Sequence, residues 1–202
     1  MRSQMQALIL ERHVTGRDLF NFHYEHTHVE FDGATSQRAN TQVFLGRWIH
    51  NFGLHNRVTV QAGPRLTDGK WSTDFTAIAA HTWKSSTIAL SFLRTETTLV
   101  GYAGMVETRV LQSKLSFNPI RRLTAYATPA FYKTTNGPLQ GTVYRFAAGG
   151  RYDVSPLLGA DVAYTHERQN GAIDPTRPDG KFSRATMTIG FTTRWNNSER
   201  TR

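Results

Sequence analysis

Apolar and polar residues alternate along most of this chain with a period of two, which places one set on each face of a β-strand. Phe20, Phe22 and Tyr24 alternate with Asn21, His23 and Glu25, and Val58, Val60 and Ala62 alternate with Arg57, Thr59 and Gln61. The same rhythm sets Phe75, Ala77 and Ala79 against Asp74, Thr76 and Ile78, and Ile88, Leu90 and Phe92 against Ala89, Ser91 and Leu93. Leu111, Leu115 and Phe117 oppose Gln112, Lys114 and Ser116, and Leu123, Ala125, Ala127 and Phe131 oppose Thr124, Tyr126, Thr128 and Tyr132. Tyr144, Phe146 and Tyr152 oppose Arg145, Gly149 and Arg151; Leu158, Val162 and Tyr164 oppose Asp161 and Thr165. The last strand sets Ala185, Met187, Ile189 and Phe191 against Thr186, Thr188 and Thr192. Residues 42–50 are ambiguous, because Val43, Leu45 and Ile49 on one face meet Phe44 and Trp48 on the other, with Arg47 as the clear polar marker.

The connections fall into two alternating classes. Short ones occupy residues 51–56, 84–86, 118–122 and 153–157, where Pro119 and Pro156 preset a turn dihedral. Long ones, rich in Gly, Asp, Asn, Thr and Pro, occupy residues 32–40, 66–72, 96–105, 134–141 and 168–181. Short turns at one end and long polar loops at the other are the asymmetry of a barrel crossing an outer membrane. About ten strands are expected between Leu19 and Trp195, each near the roughly 9 to 11 residues that a tilted strand needs to cross a bilayer. Residues 6–11 and 13–18 add one more strand and turn, making the count odd. Bacterial single-chain barrels have even counts, so a further strand is expected upstream. The expected fold is all-β: an antiparallel up-and-down transmembrane β-barrel of about 10–12 strands, or the C-terminal part of a larger one. It forms one domain over residues 1–202, with a partial strand and turn in 1–18 and a short polar tail in 196–202.

Composition fits this picture. Hydrophobic residues make up 39% of the chain, and no apolar run approaches the roughly 20 residues of a membrane-spanning helix. A barrel tolerates such a composition because alternate residues face a polar lumen. The absence of cysteine excludes a disulfide framework, a thiolate metal site and a cysteine nucleophile. Lys and Arg number 24 against 15 Asp and Glu, a net charge of +9. These cations are scattered, whereas nucleic-acid-binding arms come as blocks, so nucleic acid is not the expected partner. The apolar stretch at residues 7–10 is too short for a signal-peptide core, so an export signal is expected upstream or already removed.

The turns Phe117-Asn118-Pro119-Ile120-Arg121-Arg122-Leu123 and Tyr152-Asp153-Val154-Ser155-Pro156-Leu157-Leu158 resemble those of a bacterial family, the β-barrel porins of exopolysaccharide-export and exosortase-associated loci. The resemblance covers most of the span from Leu19 to Trp195. It implies an outer-membrane protein, embedded in outer-membrane lipid, that acts as a passive pore or scaffold for anionic solutes or for polysaccharide export. Phe191 and Trp195 resemble the aromatic-ended last strand that the outer-membrane assembly machinery recognises, although this chain runs on to Arg202.

In such a barrel the pore-lining set is Arg57, Lys114, Arg145, Arg151, Asp161 and Arg194, with Arg65 and Arg184 near the rims and Asp74 and Glu167 as acids on the same face. Two outcomes stand open: a lumen that neutralises its own charge in salt bridges, or a pore that prefers anions or an acidic glycan. Trp48, Trp71, Trp83 and Trp195 fit interfacial girdles. The eight histidines form no recognisable Ser–His–acid signature, and no glycine-rich phosphate loop is present, so no enzyme is expected. His26 and His28 share a strand face near Glu30, a weak metal signal, and neither a metal nor a cofactor is called for. The alternative is a soluble calycin-like β-barrel binding a small ligand, with the same apolar faces turned inward. A barrel of about ten or eleven strands is narrow and largely filled by side chains, so conduction calls for further strands or oligomerisation.

Overall fold

The computed structural model describes residues 2–31, 37–98, 105–136, 139–155, 157–171 and 180–193. They form eleven strands: β1 (Arg2–His13), β2 (Asp18–Phe31), β3 (Gln37–Phe52), β4 (Asn56–Thr67), β5 (Lys70–Thr82), β6 (Ser86–Thr98), β7 (Met105–Ile120), β8 (Leu123–Asn136), β9 (Leu139–Asp153), β10 (Leu158–Asn170) and β11 (Phe182–Thr193). All pair antiparallel in chain order within one sheet, with no helix among the described residues. The fold is all-β and up-and-down, as the alternation predicts. Among the described residues no ladder joins β1 to β11, so both are edges of a curled but open wall.

The registers carry the geometry of a barrel. A row of directly opposed residues starts at Leu10, three residues from the His13 end of β1, and passes through Phe22, Gly46, Ala62, Phe75, Arg94, Arg109, Lys133 and Thr142. It arrives at Asn170, twelve residues from the Leu158 end of β10, having climbed nine residues in nine steps. One residue per step, at about 3.3 Å of rise and about 4.8 Å between strands, is a slope of about 35°. Closing a sheet into a barrel needs a stagger of this kind and a tilt of roughly 35–45°.

Opposed residues share a face, so the ladder also carries each face across the sheet. Every unambiguous apolar set named above falls on one face: Phe20 and Phe22, Val58 and Val60, Leu90, Leu111, Ala127, Phe146, Val162 and Ile189 among them. The buried side chains, Val29, Thr41, Val43, Leu45, Ile49, Thr67, Asp74, Val106, Ala130 and Thr134, all fall on the other. A single sheet buries a side chain by curling over it, so that second face is concave. The apolar face is convex and exposed. Exposed large apolar residues on the concave face sit chiefly on the edge strands, Met5 and Ile9 on β1 and Phe182 on β11. The other is Tyr126, whose ring lies over its cross-strand partner Gly149, where a Cβ would stand 2.7 Å from the ring.

The ambiguous strand β3 resolves in the same terms. Val43, Leu45 and Ile49 turn inward and are buried, while Phe44, Gly46 and Trp48 turn outward. Outward positions two to seven residues from the short-turn end carry no Asp, Glu, Lys or Arg in any of the eleven strands. At a tilt of about 35° this belt is roughly 16 Å tall, within the roughly 25 Å apolar band of outer-membrane barrels.

The connections correct the expectation of strict alternation. At one end, residues 14–17, 53–55, 83–85, 121–122 and 154–157 are short, as expected. At the other end, the expected loop at 66–72 is a two-residue hairpin turn on Asp68 and Gly69, both with positive φ (48° and 79°), which keeps Thr67 opposite Lys70. Asp-Gly is suited to such a turn because both residues tolerate the left-handed conformation. Polar stretches expected as loop continue the ladder instead: Arg38 opposes Glu30, Thr97 opposes Val106 and Thr134 opposes Gly141. The strands therefore run 12 to 16 residues, beyond what a bilayer requires. Residues 32–36, 99–104, 137–138 and 172–179, Pro156, Trp195 and the 196–202 tail lie outside the described residues. Pro119 sits where the β7–β8 register shifts between Phe117 and Ile120, a bulge suited to a residue without an amide proton.

Candidate functional site

The concave face is the candidate pore wall. Arg57 on β4, Lys114 on β7, Arg145 and Arg151 on β9 and Asp161 on β10 all register on it, and Arg194 lies outside the described residues. Arg47, Arg65, Arg184, Asp74 and Glu167 share the face. So do Glu11 and Asp153, acids not assigned from periodicity, and Glu25, which the alternation already set on the polar face; the three bring the wall closer to neutrality than the cationic set implies.

Charge on this face is divided into sectors. Near the long-strand rim, Arg65 grips Asp74 with two bonds, Nε donating to Oδ1 at 3.0 Å and Nη2 to Oδ2 at 2.6 Å, both side chains about nine-tenths buried. Arg65 Nη2 also donates to Thr95 Oγ1 at 3.3 Å. Across β9, β10 and β11, Glu167 lies between Arg145 (3.3 Å) and Arg184 (2.8 Å), three residues in direct register. Arg151 Nε donates to Asp153 Oδ1 at 3.0 Å, while the opposed Asp161 accepts from Thr192 Oγ1 at 3.5 Å above Gly190. Arg151 and Asp153 are two apart on one strand and so share a face, which is the signal that could have found the pair.

The short-turn half of β3–β8 differs. Arg47 donates to the neutral Gln61 at 2.7 Å, and Arg57 and Lys114 have no partner among the described residues. No carboxylate projects inward in this sector. Three exposed cations without acids, bordered by paired charges on the β9–β11 side, concentrate positive potential on one part of the wall. Beside it, at the short-turn end of β9–β11, a cleft of about 190 Å³ is lined by Arg122, Arg151, Asp153, Ser155, Gly159 and Thr192.

Trp83 directly follows the short-turn end of β5 and Trp71 lies at its other end, while Trp48 sits on the convex face four residues in from the short-turn end of β3. Trp48 Nε1 donates to Asp18 Oδ1 at 2.9 Å; His50 Nδ1 lies 2.7 Å from the same oxygen, and Thr15 Oγ1 donates to Oδ2 at 2.6 Å. Asp18 had no sequence signal, since it is 30 residues from the ring it anchors. His81 packs edge-on against Trp83 at 4.2 Å, and His50 against Phe52 at 4.2 Å. His28 spends its nitrogens on Asn40 (2.6 Å) and Glu30 (3.5 Å), and His26 lies beside it on the same outward register.

No protein-family model matches this chain, and no curated protein matches it. Among solved structures, it is similar to a NanC porin in a rhombohedral crystal form, with a TM-score of 0.47 and 8% identity over 96% of this chain and 94% of that one.

Proposed function

We propose that this chain is the wall of an outer-membrane β-barrel that serves as a passive, non-enzymatic pore or scaffold with a preference for small anions or acidic glycan segments. The observation that carries this reading is the inversion of burial. The large apolar residues form one exposed convex belt across the strands, and the concave face, apart from a buried cluster that includes Val43, Leu45 and Ile49, is lined largely by Thr, Ser, Gln, Arg and acids. A soluble ligand-binding barrel needs the opposite arrangement, with its apolar face inside. Arg47, Arg57 and Lys114, none with a carboxylate partner among the described residues, support the anion preference, and the turns that resemble those of exopolysaccharide-export porins favour an acidic polysaccharide as the larger cargo. Lipid of the outer membrane and its assembly machinery are the partners this role requires.

The test has two stages. Refolded in detergent, the protein is expected to migrate faster unboiled than boiled and to give β-type circular dichroism only with detergent or lipid. A β-rich monomer in plain buffer sinks the membrane assignment. In planar bilayers under a salt gradient, the reversal potential is expected to have the sign of anion preference. Replacing Arg47, Arg57 and Lys114 together by Gln is expected to move it toward zero; a cation-selective parent contradicts the anion assignment alone.

A further inference from the structure

Gly46 stands in the middle of β3 where neither a turn nor crowding calls for glycine. It is absent from the positive-φ residues, and a Cβ built on it meets nothing nearer than the Ala62 carbonyl oxygen at 3.9 Å. Register is unchanged on both sides of it, so it marks no bulge. Glycine inside a strand lowers stability through lost packing and chain entropy, and a recurrent reason for keeping it is the close approach of a ligand.

A groove of about 660 Å³ lies over Gly46, walled on the convex face by Leu10, Phe20, Phe22, Trp48, Val60 and Ala62, with Glu11, Asn21 and Arg47, which register on the opposite face, also bordering it. Two registered rows build it. Leu10, Phe22, Gly46 and Ala62 form the upper row; Arg12, Phe20, Trp48 and Val60 form the next one toward the short turns. The Trp48 wall is fixed by its bond to Asp18. Arg12 caps the short-turn end, exposed and without a carboxylate partner among the described residues. The nearby Asp18 carboxylate is already engaged by Thr15, Trp48 and His50. An apolar trough ending in one free guanidinium at the edge of the charge-free belt matches an amphiphile of opposite charge.

We propose that this groove seats one hydrocarbon chain of an anionic phospholipid, with the lipid phosphate on the Arg12 guanidinium. Guanidinium and phosphate form paired, charge-assisted hydrogen bonds, and the site lies where a chain meets its headgroup. The proposal rests on the membrane-barrel reading. Replacing Trp71, Trp83 and Trp195 by Phe leaves Trp48 as the sole fluorophore, and quenching is measured in phosphatidylcholine bilayers containing brominated-chain phosphatidylglycerol or brominated-chain phosphatidylcholine. Half-maximal quenching is expected at about fivefold lower mole fraction for the anionic lipid, the equivalent of roughly 1 kcal/mol per basic residue near the surface. Arg12→Gln is expected to make the two lipids equal, Arg12→Lys to retain a preference, and Gly46→Leu to weaken quenching by both. Equal quenching by both lipids in the parent, with the unboiled band still migrating fast, overturns the site and leaves the barrel standing. Loss of the fast unboiled form in bilayers overturns both. A cross-linked dimer that Gly46→Leu abolishes assigns the groove to a second copy and also overturns the lipid site.

Discussion

Arg65 and Asp74 illustrate how a single residue pair behaves when the wall curls over it. Each is about nine-tenths buried and bonded through two contacts. Removing one partner leaves a charge without water or counter-charge, and Arg65→Ala is expected to lower stability by about 3 kcal/mol, whereas replacing both by Met is expected to be nearly neutral. Urea midpoints of the refolded variants check this; similar losses in the single and double replacements would show that the pair contributes net stability. Such pairs were only partly legible in the sequence. A period of two places Arg65 and Asp74 on one face, but which acid an arginine takes depends on neighbours across the ladder. Arg151 chose Asp153 on its own strand over the opposed Asp161, and Glu11 joined the concave face only once the β1–β2 register was known.

For the individual strand, face assignment was legible and length was not. Alternation and ladder geometry carry the same information, so the outward sets read from periodicity recur in the register for every strand whose alternation was clear, β3 with its two apolar faces being the one that needed the ladder to decide it. Strand ends are different: Thr, Arg, Asp and Gln serve equally in a loop and in a strand that overhangs into water, so residues such as Arg38 and Thr134 carried no mark of their pairing. Adjacent residues on β6 offer a direct check of the faces. Leu90 is exposed within the charge-free belt and Ser91 faces the wall's interior. Leu90→Lys is expected to cost about 2–4 kcal/mol in lipid, as for a cation placed at the middle of a bilayer, and Ser91→Lys within about 0.5 kcal/mol. Folding titrations into liposomes measure both, and the reverse order would mean that the apolar face is the interior.

On the scale of the whole molecule, the stagger of one residue per strand does more than tilt the strands. It lets the charge-free belt stay level around the wall while the hydrogen-bonded rows climb across it, so a horizontal membrane and an oblique ladder coexist in one sheet. None of this was readable from the sequence, because register is a relation between strands and each strand alone is silent about it. Native-state hydrogen exchange in detergent is expected to protect the amides of β3 to β9 most strongly and those of β1 and β11 least, since each edge is bonded on one side. Uniform protection from β1 to β11 would mean that the two edges are joined in solution.

An odd number of strands also gives the wall a direction. β1 and β11 both run toward the short turns, so bringing them together makes the single parallel joint in a structure whose other joints are all antiparallel. Parallel pairing is slightly weaker per residue, with slanted bonds. A strand of opposite sense inserted between them removes that exception, at the expense of two new joints. In the first arrangement the circumference has one mechanically distinct line, and a wall with one such line splits there first, opening sideways into the lipid before it unfolds from its rims.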